Sequence, residues 1–298
     1  MTRRNLLEKA FQAAVTAAGF TSAAVVLLIL LFLAKSSAGL FFEDGYSLRE
    51  FLTDTRWRPT SEPPHFGIVP LVLGTTVVSV GALLLAVPFG IATATFLAEV
   101  APGWLREILK PTVELLAAIP SVVIGFVGLA VVAPALKSTF HLQTGLTAAT
   151  GSVALAIMAI PTIVTIAEDA LAAVPRSFRD ASLALGANRW QTTWKVVLPA
   201  AAPGLLAAVI LGAGRVMGET MAVLMVTGNA ANVTLDPRSP VRTMTATIAS
   251  EMGETARYSD HYHSLFAIGA VLYLVTLAIN AVATFVLERA RKRMGGAR

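Results

Sequence analysis

Six runs of about twenty apolar residues recur along this 298-residue chain, and they leave few folds open. A hydrocarbon core about 30 Å thick is crossed by about twenty helical residues. Inside lipid each backbone N–H and C=O needs a partner within the protein, so a lone apolar run of this length folds as a helix. The composition agrees. The chain is 55% hydrophobic and 14% charged, with a mean hydropathy of +0.71, whereas a soluble domain of this size needs more polar surface. Spans are expected at 13–35, 70–98, 112–134, 146–167, 201–227 and 264–287. The expected class is therefore all-α, a polytopic membrane protein with six transmembrane helices. Pro88-Phe89-Gly90 should kink or tilt the second span. Arg3 and Arg4 before an apolar run also fit a signal peptide. Phe11 to Ala34 carries no charge, however, and is long enough to span, so the run is read as a helix.

The net charge of +5 and pI near 9.8 do not point to nucleic acid, because the basic residues gather at segment ends. Fourteen Lys and Arg fall on one side of the expected topology and eight on the other. The richer side, with both termini, is expected to be cytoplasmic. The chain has no cysteine, which excludes disulfides, thiolate metal sites and cysteine nucleophiles. His261 and His263 have no third ligand at metal spacing, so they are read as a solvated pair and no metal is expected. No cofactor motif is present. The expected organisation is an N-terminal helix and external loop over 1–69, a core over 70–290 and a basic cytoplasmic tail over 291–298.

The polar stretch 168–200 contains "RDASLALGANRWQTTWKVVLPAAAP". Its middle is amphipathic, with Ala181, Leu185 and Trp190 alternating with Arg179, Asp180 and Arg189. Gly186 is expected to end the first helical piece. Trp190 and Trp194 should share a helical face. The segment resembles the EAA loop of ABC-transporter permeases, whose pattern is EAA, three residues, Gly, nine residues, an aliphatic, one residue, Leu-Pro. The matches are Asp180-Ala181-Ser182, Gly186, Val196 and Leu198-Pro199, in register throughout. The resemblance implies a coupling helix that docks on an ATPase subunit, and an alternative is an ordinary interfacial helix. There is no G-x-x-x-x-G-K-[ST], so any ATP that drives this protein is bound by another chain, and no covalent chemistry is expected here.

"GRVMGET" (214–220) places Arg215 and Glu219 inside an apolar run. Arg215 lies roughly 20 Å from its expected helix edge at ~1.5 Å per residue, too deep to snorkel. A lone Arg there costs at least ~2.5–3.5 kcal/mol. Glu219, one turn on, is expected to pair with it. Either the pair is a structural salt bridge, or it lines an anion pathway with Thr220 as a further donor. Prolines at Ile119-Pro120 and Ile160-Pro161 each free a backbone carbonyl, in a bundle kink or a helix broken at a path. "MGET" recurs at 252–255, where its charges are solvated in an external loop with an apolar stripe of Met244, Ile248 and Met252.

"GRVMGETMAV" also resembles the "GRALGETMAV" element of phosphate-specific ABC permeases of the PstC type, and "LAAIPSVVIGFVGL" (116–129) is similar to their "LAGIPSIVYGMWGL". "FLAEVAPGWLREIL" (96–109) is similar to the region after their second span. The resemblance implies the MetI-like ABC importer permease fold, with Arg215 and Glu219 on the phosphate path. It also implies four partner types: a second permease (PstA type), an ATP-binding dimer (PstB type), an external phosphate-binding protein (PstS type) and membrane lipid. Permeases for sulfate, molybdate or phosphonate are alternatives, since a buried Arg serves any oxyanion. A secondary anion transporter or channel would have no use for the 168–200 segment.

Overall fold

The computed structural model describes residues 3–42 and 45–295. In chain order its helices are α1 (Arg3–Phe42), α2 (Leu48–Thr53), α3 (Val69–Thr95), α4 (Gly103–Ala117), α5 (Ser121–Val127), α6 (Ala133–Thr139) and α7 (Ala148–Ala172). They continue with α8 (Arg176–Ala184), α9 (Arg189–Thr192), α10 (Leu198–Met217), α11 (Met221–Val226), α12 (Met244–Glu251) and α13 (Asp260–Gly295). A short antiparallel hairpin pairs β1 (Trp57–Arg58) with β2 (His65–Phe66). Single π-helical turns at 96–100, 128–132 and 193–197 carry helices onward. Of the expected tail, 296–298 lie outside the described residues, while 291–295 continue α13.

Among the described residues, six helical stretches are long and apolar enough to cross a membrane: 11–42, 69–100, 121–139, 148–172, 189–217 and 260–289. Two of the expected boundaries that the structure moves have a local cause. The third span begins at Ser121, because Pro120 supplies no N–H and separates α5 from α4. The fifth ends at Met217, and Gly218-Glu219-Thr220 divides the expected 201–227 helix into α10 and α11. The two Ile-Pro sites therefore differ. Pro120 breaks the chain between helices, whereas Pro161 lies inside the continuous α7.

The bundle is built around α7. Its Ile163 is fully buried, and Gly90 of α3 and Gly212 of α10 both face it, where an added Cβ would come within 2.7 and 2.6 Å of the isoleucine side chain. Small residues here let three helices approach closely, the usual basis of packing in lipid. Ser152 of α7 adds a hydroxyl bond to the Val78 carbonyl of α3 at 3.1 Å.

A second buried cluster closes the end of the bundle that carries the hairpin. Leu40, Phe51, Trp57, Phe66 and Ile68 pack on Met244, Leu265 and Ile268. Ile248 and Met252 join it, so the expected stripe of α12 is a packing face. Glu251 pins the hairpin to α12: Trp57 Nε1 donates to it at 3.2 Å, His261 Nε2 lies 2.8 Å away, and Arg242 forms an ion pair. The two histidines are thus not a solvated pair. His261 is half-buried against Glu251, and His263 is 7% exposed with Nδ1 2.7 Å from the Ser36 carbonyl. Burial works to raise the Glu251 carboxyl, but the His261 hydrogen bond, the Arg242 charge and the Trp57 N–H outweigh it and hold it below its ordinary value. An unfolded glutamate titrates near ~4.3. A depressed carboxylate contributes its full stability above that pH and loses it as pH falls through the lower folded value. Hydrogen exchange across 57–66, corrected for intrinsic rates, should therefore stay slow from about pH 7 to about pH 5 and accelerate below about pH 4. Glu251→Gln should weaken that acid transition.

Candidate translocation path and coupling surface

Arg215 sits in the last turn of α10, where the partial negative charge of the terminal carbonyls favours a cation. Its Nε donates to the Met158 carbonyl of α7 at 3.3 Å. Met158 is ten residues from one end of α7 and fourteen from the other, about 15 and 21 Å, so the guanidinium lies near mid-bundle. The expected Arg215–Glu219 pair does not form. The break at 218–220 takes Glu219 off the helical register that would have aligned them, and its Oε1 instead accepts from the Ala222 N–H at 3.2 Å, capping α11. Thr220 contacts the Gly218 carbonyl at 3.4 Å. No carboxylate among the described residues lies within 4.0 Å of Arg215, and its two terminal NH2 groups bond to none of them. The side chain is exposed in the isolated chain. A guanidinium left with its planar fork of donors, deep in an apolar span, suits an oxyanion.

On the opposite end from the hairpin, α8 and α9 form a bent pair. Gly186 has φ +87, and its N–H donates to Leu183 O at 2.9 Å while Ala187 N–H donates to Ser182 O at 3.2 Å. These two bonds close α8 by a Schellman motif. Asn188 and Gln191 then build a capping box that starts α9. Trp190 and Trp194 meet edge to face at 5.6 Å, both exposed, as their spacing foretold. Asp180, Ala181 and Gly186 are also exposed. Ala181 and Gly186 line an open groove of about 710 Å³ with Phe178, Leu185, Gln191 and Val196. Leu198 and Pro199 open α10.

Reading the sequence for topology missed a set of charged groups that tie this end together. Glu168 is 1% exposed and paired with Arg106 and with Lys110, the latter at 2.6 Å. The hydrogen bond to Glu168 raises the Lys110 ammonium above its usual value. Glu99, in the π turn after α3, pairs with Arg179 of α8 at 2.6 Å. The signal was the one that singled out Arg215: Glu99 and Glu168 both interrupt apolar runs, "FLAEV" and "TIAEDALA". Among the described residues, Glu50, Asp54 and His65 are the one group of three with potential metal-ligand atoms within 4.8 Å, and there His65 Nδ1 already meets Asp54 Oδ2 at 3.1 Å.

Residues 86–296 match the family of binding-protein-dependent transport system inner membrane components. The chain belongs to this family. The permease is similar to the probable ABC transporter permease protein YqgH of Bacillus subtilis, 39% identical over 92% of this chain and 89% of that one. It is also similar to the phosphate transport system permease protein PstC of Mesorhizobium japonicum, 36% identical over 92% and 90%. A solved chain of a bacterial ABC transporter that imports the acidic polysaccharide alginate shares the fold, with a TM-score of 0.63 at 18% identity over 96% of this permease and 99% of that chain. The expected ABC-importer permease fold is therefore present, in a multi-pass membrane protein.

Proposed function

We propose that this permease is the PstC-type transmembrane subunit of an ATP-driven phosphate importer, with both termini cytoplasmic and no ATPase site of its own. Its partners are a PstA-type permease, a PstB-type ATPase dimer and an external PstS-type phosphate-binding protein. The observation that carries the reading is Arg215, a mid-bundle guanidinium whose terminal NH2 groups bond to none of the described residues and which has no carboxylate among them within 4.0 Å. Such a group cannot face lipid without a large penalty, so it faces an aqueous path or a second chain. Phosphate offers paired oxygens to the fork, Thr220 adds a hydroxyl, and the nearby Glu219 charge keeps the anion from resting there. Binding weak enough to release is what transport needs. The PstC-named relatives favour phosphate over the other oxyanions. Closure of the ATPase dimer would push Asp180, Ala181, Gly186 and Trp190 and rock the helices around the path, giving alternating access.

Uptake of labelled phosphate by proteoliposomes holding the four-component complex tests the reading. Phosphate should accumulate with ATP, and excess sulfate should leave uptake unchanged. Equal competition by sulfate would overturn the phosphate assignment, and uptake without an ATPase would overturn the class.

Gly186→Val probes the coupling segment. A β-branched residue is strained at φ +87, at a cost of at least about 1–2 kcal/mol, so the Schellman turn should open. Span insertion should survive while phosphate moved per ATP hydrolysed falls. Normal uptake with normal ATPase binding would show that the turn is dispensable.

A further inference from the structure

Arg179 occupies the junction of three elements. From α8, its Nε and NH2 reach Glu99 at 3.2 and 2.6 Å, in the turn that ends α3. Its NH1 donates to Val174 O at 2.6 Å and its NH2 to Leu171 O at 3.0 Å, at the end of α7. The two side chains are 21% and 11% exposed, so little water competes for these bonds. Helix-terminal carbonyls and a carboxylate are the groups a planar guanidinium joins most directly. The chain joins α8 to α7 through three residues, Ala173 to Pro175, and a hydroxyl contact between Ser182 and Thr192 at 2.9 Å ties α8 to α9. Beyond the junction, α7 runs unbroken from Leu171 to Met158, about 20 Å, and Met158 O holds Arg215.

We infer that Arg179 and Glu99 are positioning residues: together they latch α8 to α3 and α7, so that displacement of α8 reaches Arg215 through α7. The inference rests on the proposed ATP-driven reading, and it assigns coupling to a bond network outside the docking face of the loop. Lysine at 179 would keep the charge but cannot bridge a carboxylate and two carbonyls at once.

The test is phosphate transported per ATP hydrolysed in the reconstituted four-component complex. Arg179→Ala and Glu99→Ala should each lower that ratio about tenfold or more, with the amount of assembled complex and the basal ATPase rate within about twofold of the parent. The double variant should be no worse than Arg179→Ala alone, because one latch cannot be lost twice. Arg179→Lys should fall between. An unchanged ratio, additive losses, or losses that track the amount of assembled complex would each overturn the latch.

A second readout does not depend on which anion is carried. The chain has no cysteine, and Gly214 has open space at Cβ, so Gly214→Cys places a single thiol beside Arg215. ATP with vanadate should change its maleimide labelling rate by about threefold or more, and Arg179→Ala should abolish that change. Persistence of the change without Arg179 would overturn the latch even if the complex proved to carry another anion. A parental complex that labels as expected but moves no phosphate would overturn only the substrate.

Discussion

Phosphate uptake by the Arg215→Gln variant is expected to fall roughly 100-fold or more, with the subunit still inserted and assembled. A hydrogen bond to a charged group contributes about 1.5–3 kcal/mol, and two from one fork exceed the ~2.7 kcal/mol that corresponds to a factor of 100. Assembly should survive for a structural reason. Arg215 has no carboxylate partner to strand among the described residues, and a Gln amide can still donate to Met158 O. Glu219→Gln should leave assembly near normal, since an amide oxygen can accept from Ala222 N–H as the carboxylate does. The decisive measurement is uptake by Arg215→Met combined with Glu219→Gln. Near-parental transport would make the charge scaffolding. An assembled complex that moves no phosphate would tie the guanidinium to the substrate.

The second large effect concerns stability and is asymmetric. Arg106→Ala with Lys110→Ala should cost about 3–5 kcal/mol, because it strands the Glu168 carboxylate inside the bundle. Glu168→Gln alone should cost less. Arg106 and Lys110 are 40% and 35% exposed, so both can turn their charged ends to water once the carboxylate is gone. Adding Glu168→Gln to the double alanine variant should therefore recover most of the loss. Thermal melting of the detergent-solubilised subunit ranks the three. Equal damage from Glu168→Gln and the double alanine would show that the buried carboxylate is not what the cations compensate.

The six spans and the turn at Gly186 were legible because they are local: length, apolarity and one glycine in an amphipathic stretch decide them. What escaped was long-range or masked by uniform composition. The break at 218–220 lies fifteen residues past the run's one proline, Pro203, and it rests on the packing of α11 beside α5 and α7 and on the Thr245 hydroxyl, which donates to Glu219 O at 2.8 Å. A helical reading of 201–227 therefore forced Arg215 and Glu219 into a pair that the break dissolves. Glu168 and Arg106 are 62 residues apart, and Glu99 and Arg179 are 80 apart, so a count of Lys and Arg for topology placed the two arginines on one side and left their carboxylate partners unread. His263 was misread for the same reason, since its partner, Ser36, is 227 residues away. Arg215 stands out by the simplest argument, that a charge in an apolar run needs a cause. Applied to Glu99 and Glu168, the same argument would have exposed the ion pairs beside α8 as well.

The joint between α1 and α13 has a consequence for how the chain is made. Phe32 meets Phe266 at 5.6 Å, Tyr273 Oη donates to Val26 O at 3.1 Å, and His263 reaches Ser36, so the first span finds its neighbour in the last. At about 5–20 residues per second, the ribosome needs roughly ten to forty-five seconds after finishing α1 to reach α13. During that wait α1 stands in lipid without this partner, which its uncharged apolar run from Phe11 to Ala34 permits. α1 thus gains this neighbour only when α13 emerges, and a nascent chain that stalls before residue 260 leaves its first helix inserted without it.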